Sequence, residues 1–346
     1  MRYTKLTIKG LRGVRDLEIA DFRRVNLFVG ANNCGKTTIL ESLFLLAGPT
    51  NPRLPLKINN FRNFYTTDEN SWGVFFNELD ISSDIKLSGE LDKPKEVRNL
   101  LIKPNMTTID STDGYTGSMP AVSGLILEYS FANGINKKSG KFVAEVTVKD
   151  GDAEFKIPKD HKEELRGVFV NAKTLFQDLG TRFNNIQIRK QTDRIVKILR
   201  QIEPSLIDLS LGTDGIVYCD VGLDRLVPIN VMGDGMFRLL SIISAISDTQ
   251  DGIVLIDEIE NGFYYSSQEI LWNAIFESAK EFNVQIFATT HSIECVKSFS
   301  SSYTQTGKNN DDVRLYRIER KDGDFRVVNY DHNVLEASLD SGWEVR

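Results

Sequence analysis

An α/β fold, with a mixed sheet and a separate antiparallel β region, is predicted for this 346-residue chain by three features. Short apolar runs alternate with amphipathic runs at both ends of the chain, the pattern that packs helices on a mostly parallel sheet. The run Val25-Asn-Leu-Phe-Val29 leads through the glycine-bounded loop Gly30-Ala-Asn-Asn-Cys-Gly35 into a helical run, and a second run, Ile253-Val-Leu-Ile256, ends on Asp257-Glu258. Between them, clusters of Pro, Asn, Asp and Ser separate short stretches of alternating hydrophobicity.

The first thirty residues read as a meander. Tyr3 to Ile8, Leu17 to Phe22 and Val25 to Val29 are strand-like, with turns at Gly10 and Gly13. The loop that follows, continued by Lys36 and Thr37, fits G-x-x-x-x-G-K-[ST] and lies between a strand and the helical run Thr37 to Ala47. Backbone N–H groups of such a loop face a concavity, and the start of the next helix adds its dipole, which together suit a polyphosphate. Gly30, Asn32, Asn33, Cys34, Gly35, Lys36, Thr37 and Thr38 are therefore the candidate ATP-binding residues. Lys36 is placed to neutralise the β- and γ-phosphates, and the Thr37 hydroxyl to join the shell of a Mg²⁺ ion.

From Gly48 to about Arg166 the alternation in Leu125 to Phe131 and Phe142 to Val148 predicts an antiparallel β insertion with long loops. Residues 171 to 203 read as helical and 206 to 229 as strand-rich. The stretch 234 to 300 alternates helix and parallel strand, and Val313 to Ile318 with Phe325 to Tyr330 forms a hairpin before a short helix. On the segment Arg182 to Arg200, Lys190, Arg194 and Lys197 recur at helical spacing and share a face with Gln201, either a solvated face or a basic stripe for nucleic acid.

Three clusters carry the remaining chemistry. Asp257 stands at the carboxyl end of a buried strand, the edge at which open α/β sheets bind ligands, and is the second candidate metal ligand. Glu258 points the other way and suits a residue that orients or deprotonates water. Gly233-Asp234-Gly235, with Arg238 in the helix Met236 to Ile246, makes either a phosphate contact or a cap provided by Asp234. Thr289-Thr290-His291 ends the strand Val284 to Ala288, and His291 is the third candidate catalytic residue beside Lys36 and Glu258. His161 and His332 have no such context.

The order of these motifs, with a long interval between Lys36 and Asp257, resembles that of ABC-type P-loop NTPases, which have a mixed sheet, an antiparallel β subdomain and a helical signature lobe. Within that class the chain looks like the branch of SMC-type repair proteins and OLD-like (overcoming lysogenization defect) ATPases, over residues 1 to 48 and about 165 to 330. The resemblance implies one ATPase domain made of 1–48 (strands and phosphate loop), 49–166 (β insertion), 167–230 (helical lobe and strands) and 231–346 (signature, Asp-Glu strand, switch histidine and closing strands). It implies that Gly233, Asp234, Gly235 and Arg238 act on the nucleotide of a second copy, in a homodimer or higher homo-oligomer, and that His291 senses the γ-phosphate. Met232 stands where many relatives have serine, so a hydroxyl contact to phosphate is missing, and Arg12 resembles an arginine that some relatives use near the nucleotide. OLD-type proteins continue into a nuclease domain, whereas this sequence runs only from His291 to Arg346 beyond the histidine. The resemblance thus implies a standalone ATPase acting as sensor or scaffold for a separately encoded effector, a nuclease or toxin, as in antiphage systems. Two other readings fit: a RecF- or SMC-like DNA-repair ATPase, and a poorly hydrolysing ATP-bound scaffold that sequesters a toxin.

Composition narrows the setting. With 41% hydrophobic and 26% charged residues the chain can bury a large core. No apolar run approaches the length of a membrane span, and Met1-Arg-Tyr-Thr-Lys5 opens a strand rather than a secretion signal. Three scattered cysteines, Cys34, Cys219 and Cys295, fit a reducing, cytoplasmic setting. A net charge of −6 disfavours general binding to polyanions, which leaves any nucleic-acid contact to local patches.

Overall fold

The computed structural model describes all residues except 66–68, 110–118, 134–138, 150, 175–177, 307–310 and 322. In chain order its strands are β1 (Tyr3–Leu11), β2 (Val14–Ala20), β3 (Val25–Val29), β4 (Ile85–Leu91), β5 (Glu96–Ile109), β6 (Met119–Asn133), β7 (Ser139–Lys149), β8 (Asp152–Lys156), β9 (Gly167–Val170), β10 (Asp208–Leu211), β11 (Val217–Asp220), β12 (Val227–Pro228), β13 (Ile253–Ile256), β14 (Gln285–Thr289), β15 (Val313–Lys321) and β16 (Asp324–Tyr330). Its helices are α1 (Lys36–Ala47), α2 (Leu54–Phe61), α3 (Leu179–Ile188), α4 (Thr192–Leu199), α5 (Asp234–Asp248), α6 (Gln268–Glu281), α7 (Ile293–Gln305) and α8 (His332–Asp340). They divide into two compact units: Met1–Phe22 with Asn33–Leu165 and Ile318–Val327, and Arg23–Asn32 with Arg166–Arg317 and Val328–Arg346.

The first unit is built on one sheet of seven strands in the order β2-β1-β4-β5-β6-β7-β8. Its inner face buries Leu6, Ile8, Leu87 and Leu100 against α1, while the outer face of the β1–β2 hairpin carries Lys5 and Lys9 in ion pairs with Glu18 and Asp16. That alternation is the period-2 pattern of a half-solvated antiparallel sheet. Tyr3, fully buried, donates its hydroxyl to the Leu46 carbonyl at the end of α1. The sequence predicts β1 and β2 as part of an N-terminal segment distinct from a β insertion at 49–166. The structure pairs β1 directly with β4, so hairpin and insertion form one sheet; a unit boundary falls between Leu165 and Arg166, beside the expected one at 166, and none falls at 48 or 230.

The second unit centres on parallel strands in the order β15-β3-β14-β13-β9, with β16 beyond β15. β3, β13 and β14 are buried at every residue because helices cover both faces, which is why they read as unbroken apolar runs rather than alternating ones. Trp272 of α6 is fully buried, lies edge-on to Phe299 of α7, and donates its indole N–H to the Cys295 carbonyl. A small antiparallel sheet, β10-β11-β12, follows α4.

The predicted basic helix face is broken. Lys190 lies in the turn between α3 and α4 with φ of +57°, so it does not continue the helix that carries Arg194 and Lys197. Arg194 pairs with Glu281 and its guanidinium sits 5.6 Å from the centre of the Phe282 ring. The residues that form this face in sequence are thus partly spent on packing.

Ile286, at the centre of β14 and fully buried, pairs with Val25 on one side and Val254 on the other. Ile286→Ala is expected to lower the unfolding free energy by about 2–5 kcal/mol in urea titrations followed by circular dichroism.

Candidate functional site

In the second unit, three parallel strands bring their carboxyl ends to one edge. Ile256 pairs with Ala288 and Thr289 with Phe28, so Gly30 after β3, Asp257 after β13 and Thr290-His291 after β14 leave the sheet together. The chain then turns sharply. Glu258 has φ of +51°, a left-handed conformation that is uncommon for a residue with a side chain.

Thr289 holds this turn. Its hydroxyl donates to Asp257 Oδ1 at 2.7 Å and accepts from the Glu258 backbone N–H at 2.8 Å, while its carbonyl accepts from Ile259 N at 3.0 Å. The Glu258 carboxylate is exposed, with Oε2 accepting from Asn261 Nδ2 at 2.6 Å. Two residues on, Glu260 Oε1 accepts the backbone N–H of His291 at 2.8 Å, which ties the histidine's backbone to the turn. Among the candidate residues of this unit, Asp257, Glu258 and His291 are therefore gathered by direct hydrogen bonds through Thr289 and Glu260.

Arg238 faces inward. Only 4% exposed, it donates through one terminal nitrogen to the carbonyls of Glu258 at 2.5 Å and Asp257 at 3.2 Å. Burial pulls its pKa below the usual arginine value, and the carboxylates of Glu260, Glu258 and Asp257 oppose that shift. Gly233, with φ of +100°, occupies the cap position of α5, and Asp234 is the first helical residue, its charge at the positive end of the helix dipole. Gly233 and Asp234 are exposed. Gly235 packs so close to the turn that a Cβ on it would lie 3.3 Å from the Gly262 carbonyl.

The first unit holds the other half of the phosphate loop. Gly35 caps α1 at φ of +87°, and an added Cβ there would meet Val14 Cγ2 at 3.3 Å and Phe325 Cε1 at 3.4 Å, so both the dihedral and the space require glycine. Asn33 also has positive φ, +61°. Lys36 is buried, its Nζ 3.6 Å from the Cys34 thiol, while Thr37 is half-buried and Thr38 buried.

Beneath this loop lies a charge cluster that sequence reasoning did not find. Glu41, 1% exposed on α1, accepts from Arg12 Nε at 2.8 Å and Arg62 Nε at 2.7 Å. Arg12 also donates to Asn59 Oδ1 at 2.9 Å and lies over the Phe75 ring. The signal was present: Glu41 is a lone carboxylate inside the apolar run Ile39 to Ala47, and such a group stays ionised in a core only when paired. A cavity of about 550 Å³ opens beside it, lined among others by Arg12, Arg62, Asn33, Gly35 and Thr38.

The donors suit a hard cation. Thr37 of the first unit offers a hydroxyl and Asp257 of the second a carboxylate, and each by itself is an oxygen donor of the kind Mg²⁺ takes beside phosphate oxygens. No group of three or more His, Cys, Asp and Glu side chains able to cage a metal occurs among the described residues. Burial pushes the thiols of Cys219 and Cys295 up to about 11 and about 12, so neither is a reactive thiolate.

Solved structures share this fold across nearly the whole chain. An Smc head bound to the C-winged helix domain of ScpA is 13% identical, with 98% of this chain and 100% of that one covered and a TM-score of 0.50. An Smc head domain with an extended coiled coil, bound to the C-terminal domain of ScpA derived from Pyrococcus furiosus, is 12% identical over 98% of each chain, with a TM-score of 0.51. The chain has an SMC head-like, ABC-type fold. Residues 1–166 match the family model described as "AAA ATPase domain", and residues 157–296 the one described as "AAA domain, putative AbiEii toxin, Type IV TA system". A Helicobacter pylori protein named ATP/GTP phosphatase is 25% identical over 84% of this chain and 85% of its own length. An uncharacterised protein of Methanocaldococcus jannaschii is 40% identical over 33% of this chain and 99% of its own. In this SMC head-like chain, no helix among the described residues is long and apolar enough to cross a membrane.

Thr289→Val keeps the shape of the side chain and removes its hydroxyl, orphaning the Glu258 N–H. It is expected to cost about 1–3 kcal/mol of stability. Nucleotide hydrolysis is expected to fall by about tenfold or more, because Asp257 and Glu258 lose their shared anchor, as measured by steady-state phosphate release.

Proposed function

We propose that this chain is a Mg²⁺-dependent ATPase that closes head-to-tail with a second copy around bound nucleotide. The observation that carries the reading is the Thr289 bridge, which fixes Asp257 and Glu258 at the same sheet edge from which the phosphate loop departs. Lys36 neutralises phosphate charge, Glu258 positions or deprotonates the attacking water, and His291 reads the γ-phosphate. Thr37 and Asp257 would hold Mg²⁺, which when bound offsets the charge of the phosphate oxygens. The Helicobacter relative's name, ATP/GTP phosphatase, supports hydrolysis, and so does the ATPase-domain model over residues 1–166.

The second copy is supported by what the second unit leaves uncovered. Gly233 and Asp234 are exposed at the start of α5, and Val231, Tyr264 and Tyr265 are 70%, 70% and 61% exposed on the segments flanking that start and the Glu258 turn. Backbone N–H groups of Gly233 to Met236 then contact the partner's nucleotide, in place of the hydroxyl that Met232 lacks.

In this reading the ATPase serves as sensor or scaffold for a separately encoded effector, a nuclease or toxin, in antiphage defence. The toxin–antitoxin description of the model matched by residues 157–296 supports a two-component role. The DNA-repair reading draws less support, since Arg194 is engaged by Glu281 and Lys190 leaves the helix face.

Glu258→Gln is expected to bind MgATP with near-parental heat in calorimetry while releasing phosphate at least about tenfold more slowly. The same variant with ATP is expected to sediment at twice the monomer mass. Parental turnover removes Glu258 from the mechanism, and a monomer at saturating ATP removes the sealed pair.

A further inference from the structure

After β14, which ends at Thr289, the Thr290 N–H still donates to the backbone carbonyl of Phe28 at 3.1 Å. His291 is the first residue whose two peptide groups are both met by side chains. Glu260 Oε1 accepts its N–H at 2.8 Å, and its carbonyl accepts from Arg346 Nη1 at 3.4 Å.

The chain that follows α8 brings Arg346 to this point. Gly342, at φ of +70°, donates to the Leu339 carbonyl at 3.0 Å, and Trp343 N donates to that of Ser338 at 2.9 Å. This pair of bonds is a Schellman arrangement, which turns the chain off the helix and favours glycine at the left-handed position. Further contacts then fix the segment. The Glu344 carbonyl accepts from Arg317 Nη1 at 2.7 Å, and Val345 is fully buried in the same cluster as Leu315 of β15 and Val296 of α7. Glu344 Oε1 accepts the Arg346 backbone N–H at 3.2 Å and lies 3.2 Å from its Nε. The guanidinium also faces Glu294 in the first turn of α7. That carboxyl is held below the usual range first by its own backbone N–H and then by the Ser292 hydroxyl, with Arg346 adding a smaller electrostatic share.

We propose that Arg346 is a positioning residue for His291, fixing the peptide that carries the imidazole and so the reach of that ring toward a bound γ-phosphate. This role rests on the hydrolase reading given above and adds a residue to it. A peptide held at its N–H by a carboxylate and at its carbonyl by a guanidinium cannot rotate without breaking a charge-assisted bond. The bond of 3.4 Å is long, as such contacts often are before the ligand tightens them. Only one nitrogen meets the carbonyl, so a lysine can replace the arginine here, as it could not at a two-point contact.

The test compares Arg346→Ala, Arg346→Lys and the neighbouring Trp343→Ala in the full chain. The Arg346 side chain is 46% exposed and Trp343 71%, so all three variants are expected to fold with the wild-type urea midpoint. Arg346→Ala is expected to lower kcat for MgATP by about fivefold while KM stays within about twofold of wild type, because the residue acts through His291 and not on bound nucleotide. Arg346→Lys is expected to recover most of that loss, and Trp343→Ala to match wild type. With isotope-labelled histidine, the three histidines of the chain report separately in magnetic resonance spectra. Arg346→Ala is expected to shift or broaden the ring signals of His291 and to leave those of His161 and His332 in place. Wild-type kcat in Arg346→Ala, or His291 signals that do not move, overturns the assignment and leaves the hydrolase reading intact. An equal loss in Trp343→Ala also overturns it, since the effect then belongs to the fold of the segment. Absence of hydrolysis by the wild type overturns both.

Discussion

One hydroxyl, that of Thr289, holds together the Asp-Glu turn on which the proposed hydrolysis depends. The Asp-Glu turn leaves β13 through a left-handed Glu258, a conformation that costs about 1–2 kcal/mol for an L residue. Against this stand the bond from Glu258 N to Thr289, the bond from Ile259 N to the Thr289 carbonyl, and two from Arg238 to the carbonyls of Asp257 and Glu258. At about 1 kcal/mol net each, and more for the bonds from a charged donor, these exceed the strain. The backbone of Glu258 is thereby fixed while its carboxylate stays in solvent, an arrangement suited to a group that meets water and not to one that merely fills a strand end.

The first unit solves a different problem. A carboxylate as buried as Glu41 is costly to desolvate, by several kcal/mol, and is tolerated only with close partners. Arg12 and Arg62 are those partners, one from the β1–β2 turn and one from the residue after α2. Burial pulls the Arg12 pKa below the usual arginine value, and Glu41 opposes that shift. The return on that desolvation is positional: two segments distant in sequence are pinned to α1 about one turn below Lys36, where a bidentate geometry tolerates little displacement.

The sequence carries some of this plainly and some not at all. β3 and β13 are legible to the residue because strands covered on both faces are continuous apolar runs, and α1 because the glycine that must precede it stands in a recognisable loop. Sheet membership is not legible: nothing in Tyr3 to Leu11 announces that its partner begins at Ile85, since alternation says which face is buried and not against which strand. The break at Lys190 is hidden for a related reason. Helical spacing continues through it, and positive φ at a lysine has no residue-type signature. Thr289 was within reach, in the run Thr289-Thr290-His291, but a threonine at a strand end has a dozen ordinary uses, and only the position of Asp257 on the neighbouring strand selects this one. Arg238 shows the limit most clearly, because the same residue at the same spacing serves a nucleotide outside or a carbonyl inside according to its rotamer.

That inward rotamer bears on how a second copy acts. The turn that Arg238 grips runs on from Glu258 through Gly262 to Tyr264 and Tyr265, whose rings lie 4.4 Å apart at centre and are largely exposed. On the proposed reading, a partner that covers these tyrosines presses on the same short segment that sets the backbone of Glu258. The close approach of Gly235 to the Gly262 carbonyl leaves the start of α5 little freedom to move without the turn. Docking and water activation then become linked through one rigid piece of chain, since packed elements respond to load by switching arrangement more than by bending. On the same reading, hydrolysis gated in this way needs no separate signalling element: the surface proposed to meet the second copy and the Glu258 carboxylate are only a few residues apart.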